Sequence, residues 1–203
     1  MTTVRTARET ELSAIRAFDE EHVGSDRSLG DLRAMFDSHP SLFVVVENGA
    51  ELLAVAYGRE TRPAESPTAT HPGEVSLLSI GVRREARGES YGRTVLGGFE
   101  QRAARHWDTV GAAAANNVEG FYRACGYEPT LVLVRVAESD LPAGDIGAER
   151  IVGERVPEPG TRFLYVAFDS YSADLRDDLA ERFDAFEVNT IFRKSVSESA
   201  THN

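Results

Sequence analysis

The chain has one cysteine, one tryptophan and a single lysine, Lys194, in 203 residues. A lone thiol, Cys125, excludes an intramolecular disulfide and leaves too few thiolates for a zinc-type cluster, so no metal site is expected. No uninterrupted apolar run approaches the ~20 residues of a membrane span, and the opening MTTVRTARETELSA lacks the apolar stretch of a secretory leader. A soluble, cytoplasmic protein with no membrane partner is the expectation. Positive charge is scarce as well: 22 basic residues face 33 acidic ones, for a net charge of -11. Such a surface repels phosphate backbones at ordinary salt, which argues against nucleic acid as a partner. Dense carboxylates and near-absence of lysine fit a halophilic protein, kept soluble where high salt screens the repulsion. A GC-rich genome, which favours arginine codons, gives the same bias; the halophilic reading is preferred.

What is present reads as an alternation of short strands and amphipathic helices, enough for one domain with a sizeable core and a small appendage. Thr3 to Arg8 is a predicted strand. A helix starting at Thr10-Glu11 has the apolar face Leu12, Ile15, Phe18 and Val23. A second, Ser28 to His39, turns Leu29, Leu32, Met35 and Phe36 inward and is stopped by Pro40. Asn48-Gly49, between the strands Leu42 to Glu47 and Leu52 to Tyr57, is a hairpin signal. A polar, proline-rich loop over 62–73 precedes an apolar run, Glu74 to Val82. The next helix, Arg93 to Trp107, opens at Ser90 or Gly92 and carries Val95, Leu96, Phe99 and Ala103 at helical spacing. Gly97-Gly98 weakens it by about 1 kcal/mol each relative to alanine, so close packing against a sheet is expected to compensate. Thr109 to Ala115 is a small-residue strand, Val118 to Cys125 a short helix and Thr130 to Val136 an apolar strand.

Beyond Glu138 the composition shifts. Residues 138–160 read as a connector rich in proline, glycine and acid, 161–196 as a βαβ extension, and 197–203 as a disordered tail. The extension has too little core to stand alone, so it is expected to pack on the main sheet or on a partner subunit. No internal repeat is found.

Two segments carry chemistry. Arg87-Gly88-Glu89-Ser90-Tyr91-Gly92 is a small-residue turn between strand and helix, where backbone N–H groups and a helix N-terminus can hold an anion such as a pyrophosphate. Such turns also occur without ligands. The second segment, Phe121-Tyr122-Arg123-Ala124-Cys125-Gly126-Tyr127, follows one short strand later. In this order the two resemble the acyl-CoA-binding motifs of the GNAT superfamily of N-acetyltransferases. The resemblance covers residues 1–137 and implies an α/β fold, a mixed sheet with helices on both faces, here with the C-terminal βαβ extension.

The resemblance further implies an acetyl-CoA-dependent N-acetyltransferase working by direct attack of an amine in a ternary complex. The acceptor would be a small-molecule or protein amine. Backbone N–H groups of Arg87, Gly88, Glu89, Ser90, Tyr91, Gly92 and Arg93 would cradle the pyrophosphate, with Ser90 where the pattern has its first glycine. Arg84 and Ala86 stand where a proline and an aromatic are common. The backbone of Ile80, Gly81 and Val82 would be the rail for the pantetheine arm, by addition to an open strand edge. Tyr122 would be the general acid, since a neutral phenol can protonate a leaving thiolate; outside the motif it would read as a core residue. Asn117, or its neighbour Asn116, would help hold the cofactor. The family's glutamate in the strand is replaced by Ser76, which leaves Glu74, two residues earlier on the same face, as candidate base, with His71 in the loop as the other. Cys125 has no histidine nearby in sequence and reads as a small buried filler, giving no support to a covalent route. The missing glutamate and the Ser90 replacement motivate an alternative from another class, a non-catalytic acyl-CoA sensor or regulatory module. Homodimerisation through a C-terminal strand edge is possible.

Overall fold

The structure, a computed structural model, describes residues 2–61, 73–115, 118–137 and 150–197. In chain order these form β1 (Thr2–Thr6), α1 (Leu12–His22), α2 (Leu29–Ser38), β2 (Phe43–Asn48), β3 (Glu51–Glu60), β4 (Glu74–Val82), α3 (Tyr91–Ala103), β5 (Thr109–Ala114), α4 (Glu119–Ala124), β6 (Glu128–Ala137), β7 (Ile151–Glu158), β8 (Thr161–Val166), α5 (Ala173–Arg182) and β9 (Glu187–Ser195). They group into two compact units. One holds Met1–Glu60, Gly73–Val110 and Ser195–Asn203; the other holds Thr61–Pro72 and Gly111–Lys194, so the division falls within β5. The expected loop over 62–72 and the tail beyond 197 lie outside the described residues.

In the first unit β1, β2, β3 and β4 pair in sequence, each antiparallel to the next. Strand alternation sends Phe43, Val45, Val55 and Tyr57 to one face, where Leu12, Ile15, Phe18, Leu32, Met35 and Phe36 of α1 and α2 close a core over them. Val23 and Leu29, expected on the same apolar faces, are 43% and 37% exposed. Each sits at a helix end, Val23 as the C-cap of α1 and Leu29 as the first residue of α2, where the backbone has left the packed stripe. The opposite face of the sheet takes α3, through buried Val95, Leu96, Phe99 and Ala103. A Cβ on Gly98 would lie 2.8 Å from Val4 Cγ1 and 3.1 Å from Val44 Cγ1, whereas Gly97 has open space around it. The packing that offsets a glycine pair is therefore realised at Gly98 alone. Helix α3 ends at Ala103, four residues before the expected Trp107; the N–H groups of His106 and Trp107 both turn back onto the Ala103 carbonyl.

In the second unit β6 pairs with β8 on one side and β9 on the other, and β7 adds to β8, all antiparallel. The βαβ extension thus exists, with β6 inserted between its two strands. Leu179 and Phe183 from α5 and its C-cap cover Val132, Val134, Val136 and Leu164. One expectation needs correction: within the supposed connector 138–160, Ile151–Glu158 is a strand. Its residues alternate between half-buried and exposed, with Val152 and Val156 on the open side. Pro157 lacks an N–H, and such a residue is confined to edge strands, which is where β7 lies.

Candidate functional site

Strand β4 carries the first part of the site. Its register with β3 slips where Tyr57 pairs with Ser79 and Gly58 with Leu77, leaving Leu78 unpaired; such a bulge bends a strand and increases its twist. Beyond the bulge Ile80, Gly81 and Val82 pair with Ala56, Val55 and Ala54. Gly81 is dictated by packing, since a Cβ there would lie 2.6 Å from Val23 Cγ2 and 3.3 Å from Phe18 Cε1.

A single 3-10 turn, Arg84–Ala86, with Ala86 buried, then delivers the chain to the Arg87–Ser90 turn. Gly88 (φ 89°) and Ser90 (φ 66°) are both left-handed, a conformation that is free for glycine but strained for serine. Ser90 is the N-cap of α3. Elsewhere in the chain Ser28 and Ser172 occupy the same role in extended conformation, and their hydroxyls accept the backbone N–H of Asp31 and Leu175. The left-handed Ser90 makes no such cap bond. The first N–H groups of α3 have no intrahelical acceptor, because the first helical bond runs from Thr94 N–H to the Ser90 carbonyl. Exposed donors at a helix N-terminus fit a phosphate, and the local charge agrees: Arg83, Arg84, Arg87 and Arg93 outnumber Glu85 and Glu89 in a chain of net charge -11. The Arg87 side chain itself braces the turn. Its Nη2 donates to the His22 carbonyl at 3.0 Å and its Nε to the Val82 carbonyl at 3.3 Å.

Beside the rail, the same unit holds a buried polar cluster that the sequence reading missed. Asp19 on α1, 3% exposed, accepts the Tyr57 hydroxyl at 2.5 Å and a short hydrogen bond from the Ser79 hydroxyl. Arg27 donates to Tyr57 Oη at 2.8 Å. Burial, and then the hydrogen bond to Asp19, push the Tyr57 phenol up to about 12. The signal was in the helical spacing: Asp19 follows Leu12 by seven positions and Ile15 by four, and so stands on the buried stripe.

In the second unit, α4 presents Tyr122, 5% exposed, with its ring stacked on Phe192 of β9 at 5.7 Å and 18°, and edge-on to Tyr127 at 5.5 Å. Burial, then the nearby Cys125, hold its phenol well above the ordinary tyrosine range, so it is protonated at neutral pH. Glu119, one turn earlier, is bound by Arg176 Nη1 at 2.6 Å, Tyr171 Oη at 2.5 Å and Thr190 Oγ1 at 2.6 Å, all on Oε1.

A strand, a small-residue turn opening a helix and a tyrosine on a later short helix follow in the order that the sequence resemblance required; the bulge in β4 and the left-handed Ser90 are added by the structure. The family model described as the acetyltransferase (GNAT) family matches residues 9–127, more than half of the chain. The chain belongs to the GNAT family.

Its α/β architecture matches the GNAT acyl-CoA N-acyltransferase fold in solved structures. The ribosomal-protein-S18-alanine N-acetyltransferase of Escherichia coli is 12% identical with a TM-score of 0.56, covering 100% of this chain and 99% of that one. Naa20 of Chaetomium thermophilum, solved with a bisubstrate analogue, is 21% identical with a TM-score of 0.55, covering 81% and 84%. Diaminobutyrate acetyltransferase EctA of Paenibacillus lautus, solved with L-2,4-diaminobutyric acid and coenzyme A, is 11% identical with a TM-score of 0.54, covering 85% and 99%. No curated protein matches the chain by sequence. GNAT proteins use acyl-CoA and act on amines, and at that general level this protein is a transferase. No helix among the described residues is long and apolar enough to cross a membrane.

Of the residues singled out in the sequence, the structure brings Ile80 to Val82 and Arg87 to Arg93 together in one strand–turn–helix unit. Asn116, Asn117 and His71 lie outside the described residues. Glu74 is buried at the start of β4 and six residues before Ile80, which is about 20 Å along a strand. Cys125 is half-buried at the C-cap of α4.

Proposed function

We propose that this GNAT protein is an acetyl-CoA-dependent N-acetyltransferase that passes the acetyl group directly to a primary amine in a ternary complex. The observation that carries the reading is the left-handed Ser90 entry into α3, whose hydroxyl caps none of the first donors of the helix, at an exposed, locally basic turn. In this reading the Arg87–Arg93 backbone binds the pyrophosphate and the Ile80–Val82 backbone guides the pantetheine arm. The amine nitrogen attacks the thioester carbonyl carbon, a C–N bond forms and the C–S bond breaks. The departing thiolate takes its proton from Tyr122, a phenol that is protonated at neutral pH. The amine proton leaves to solvent, and Glu74, about 20 Å along β4 from Ile80, can receive it only by way of a chain of several waters. Asn117 contributes to cofactor binding.

Calorimetric titration of acetyl-CoA into the full chain, in dilute buffer and in molar KCl, tests the binding half. Saturable binding that Gly92→Asp abolishes is the expected result; no binding to the folded protein defeats the reading. Thiol release with a panel of amines tests the catalytic half. Tyr122→Phe is expected to lower turnover about 10²-fold or more while retaining acetyl-CoA binding. The replacement of the strand glutamate by Ser76 favours the second reading, a non-catalytic acyl-CoA sensor. Binding without turnover of any amine would establish that alternative.

A further inference from the structure

Helix α4 has only six residues, and its N-cap, Val118, makes no side-chain cap bond. A helix this short does not hold its own shape, so the position of Tyr122 depends on what grips α4 from outside. That grip comes from beyond residue 127, where the family match ends. One carboxylate oxygen, Glu119 Oε1, collects three donors: Arg176 on α5, Tyr171 just before α5 and Thr190 on β9. The side chains of Glu119 and Arg176 are 12% and 6% exposed, so the ion pair is largely desolvated, and removing one partner strands a buried charge. Tyr122 lies three residues after Glu119, on the same helical face, and stacks on Phe192 of the same strand β9. Arg123 adds a cation–π contact to Tyr171 at 5.0 Å.

We propose that Arg176, acting through Glu119, is a positioning residue that fixes α4 and thereby Tyr122, so that the C-terminal βαβ extension is part of the catalytic apparatus and no independent appendage. The inference rests on the reading of Tyr122 as general acid. Arg176 touches no reacting atom: its Nη1 is committed to Glu119, and the residue is 5% exposed.

The experiment is a double-mutant cycle on the full chain, reading thiol release from acetyl-CoA with butylamine as probe acceptor, with acetyl-CoA affinity measured by calorimetry. Arg176→Met is expected to lower turnover about tenfold, as a displaced catalytic group does, with affinity unchanged and with no further loss in the Tyr122→Phe background. An equal loss in both backgrounds overturns the positioning role and leaves the acid role standing. Undiminished turnover in Tyr122→Phe alone overturns the acid role, and the positioning role with it. Hydrogen exchange gives a readout that needs no acceptor. Amides of 119–124 are expected to exchange faster in Arg176→Met while those of 80–82 do not change, and unchanged exchange at 119–124 overturns the proposal. Should Arg176→Met fail to fold, the near-isosteric Thr190→Val removes one donor of the three; undiminished turnover there also overturns it.

Discussion

Replacing Ser90 by glycine tests whether the entry into α3 is the strained turn described above. A left-handed L-residue is about 1–2 kcal/mol less favourable than glycine in that conformation, while glycine loses ~0.4–1 kcal/mol more through the entropy of the unfolded chain. The difference predicts that Ser90→Gly stabilises the fold by roughly 0.5–1 kcal/mol, or about 1–4 °C in the melting temperature of a chain this size. Ser90→Ala keeps the strain and loses only the hydroxyl. Because that hydroxyl makes no cap bond, the alanine variant is expected within about 0.5 kcal/mol of the parent. Thermal unfolding followed by circular dichroism measures both, and acetyl-CoA titration of the same samples is expected to give affinities within about threefold of one another, since the donors are backbone N–H groups. A glycine variant less stable than the parent would refute the left-handed assignment. A large affinity loss confined to Ser90→Ala and Ser90→Gly would show that the hydroxyl, and not the backbone, holds the ligand.

The two glycines of α3 are expected to part company. Gly97→Ala gains about 0.8–1 kcal/mol because nothing stands within 4 Å, and Gly98→Ala loses about 1–3 kcal/mol by driving a methyl group against Val4 and Val44; urea titration ranks the three proteins. Asp19→Ala leaves the Tyr57 and Ser79 hydroxyls buried without their acceptor and is expected to destabilise by about 1–3 kcal/mol in the same assay. The Arg5 guanidinium holds Glu11 and Glu47 below the usual carboxylate range, chiefly by hydrogen bonds. Groups whose folded pKa is depressed stabilise above their unfolded pKa and lose that contribution as pH falls through the folded value, so Arg5→Met is expected to be less stable than the parent at pH 7 and to converge with it in strong acid. Melting curves across pH check the convergence, and a constant gap would refute it.

Some of this architecture could be read directly from residue order. Strand β4 was legible to its ends because an apolar run meets a turn on each side, and α3's buried stripe because Val95, Leu96, Phe99 and Ala103 keep one helical face. The backbone handedness of Ser90 was not legible, since a serine N-cap normally predicts an extended residue with a bonded hydroxyl. Strand β7 stayed hidden because Gly153 and Pro157 read as loop, and an edge strand needs no continuous apolar face. Asp19 could have been flagged as a carboxylate on a buried stripe. No local pattern could have found the Glu119 cluster, whose partners lie 52 to 71 residues away, on α5, just before it and on β9.

That separation has a consequence for biosynthesis. Thr190 is 71 residues downstream of Glu119, and at roughly 5–20 residues per second a ribosome needs about 4–14 s to make the intervening chain. For that interval α4 has emerged without the carboxylate's partners or the Phe192 ring beneath Tyr122. Nascent chains halted before β9 should therefore already hold the strands and helices of the first 110 residues while leaving α4 open to protease, and closure of that helix should coincide with the release of β9.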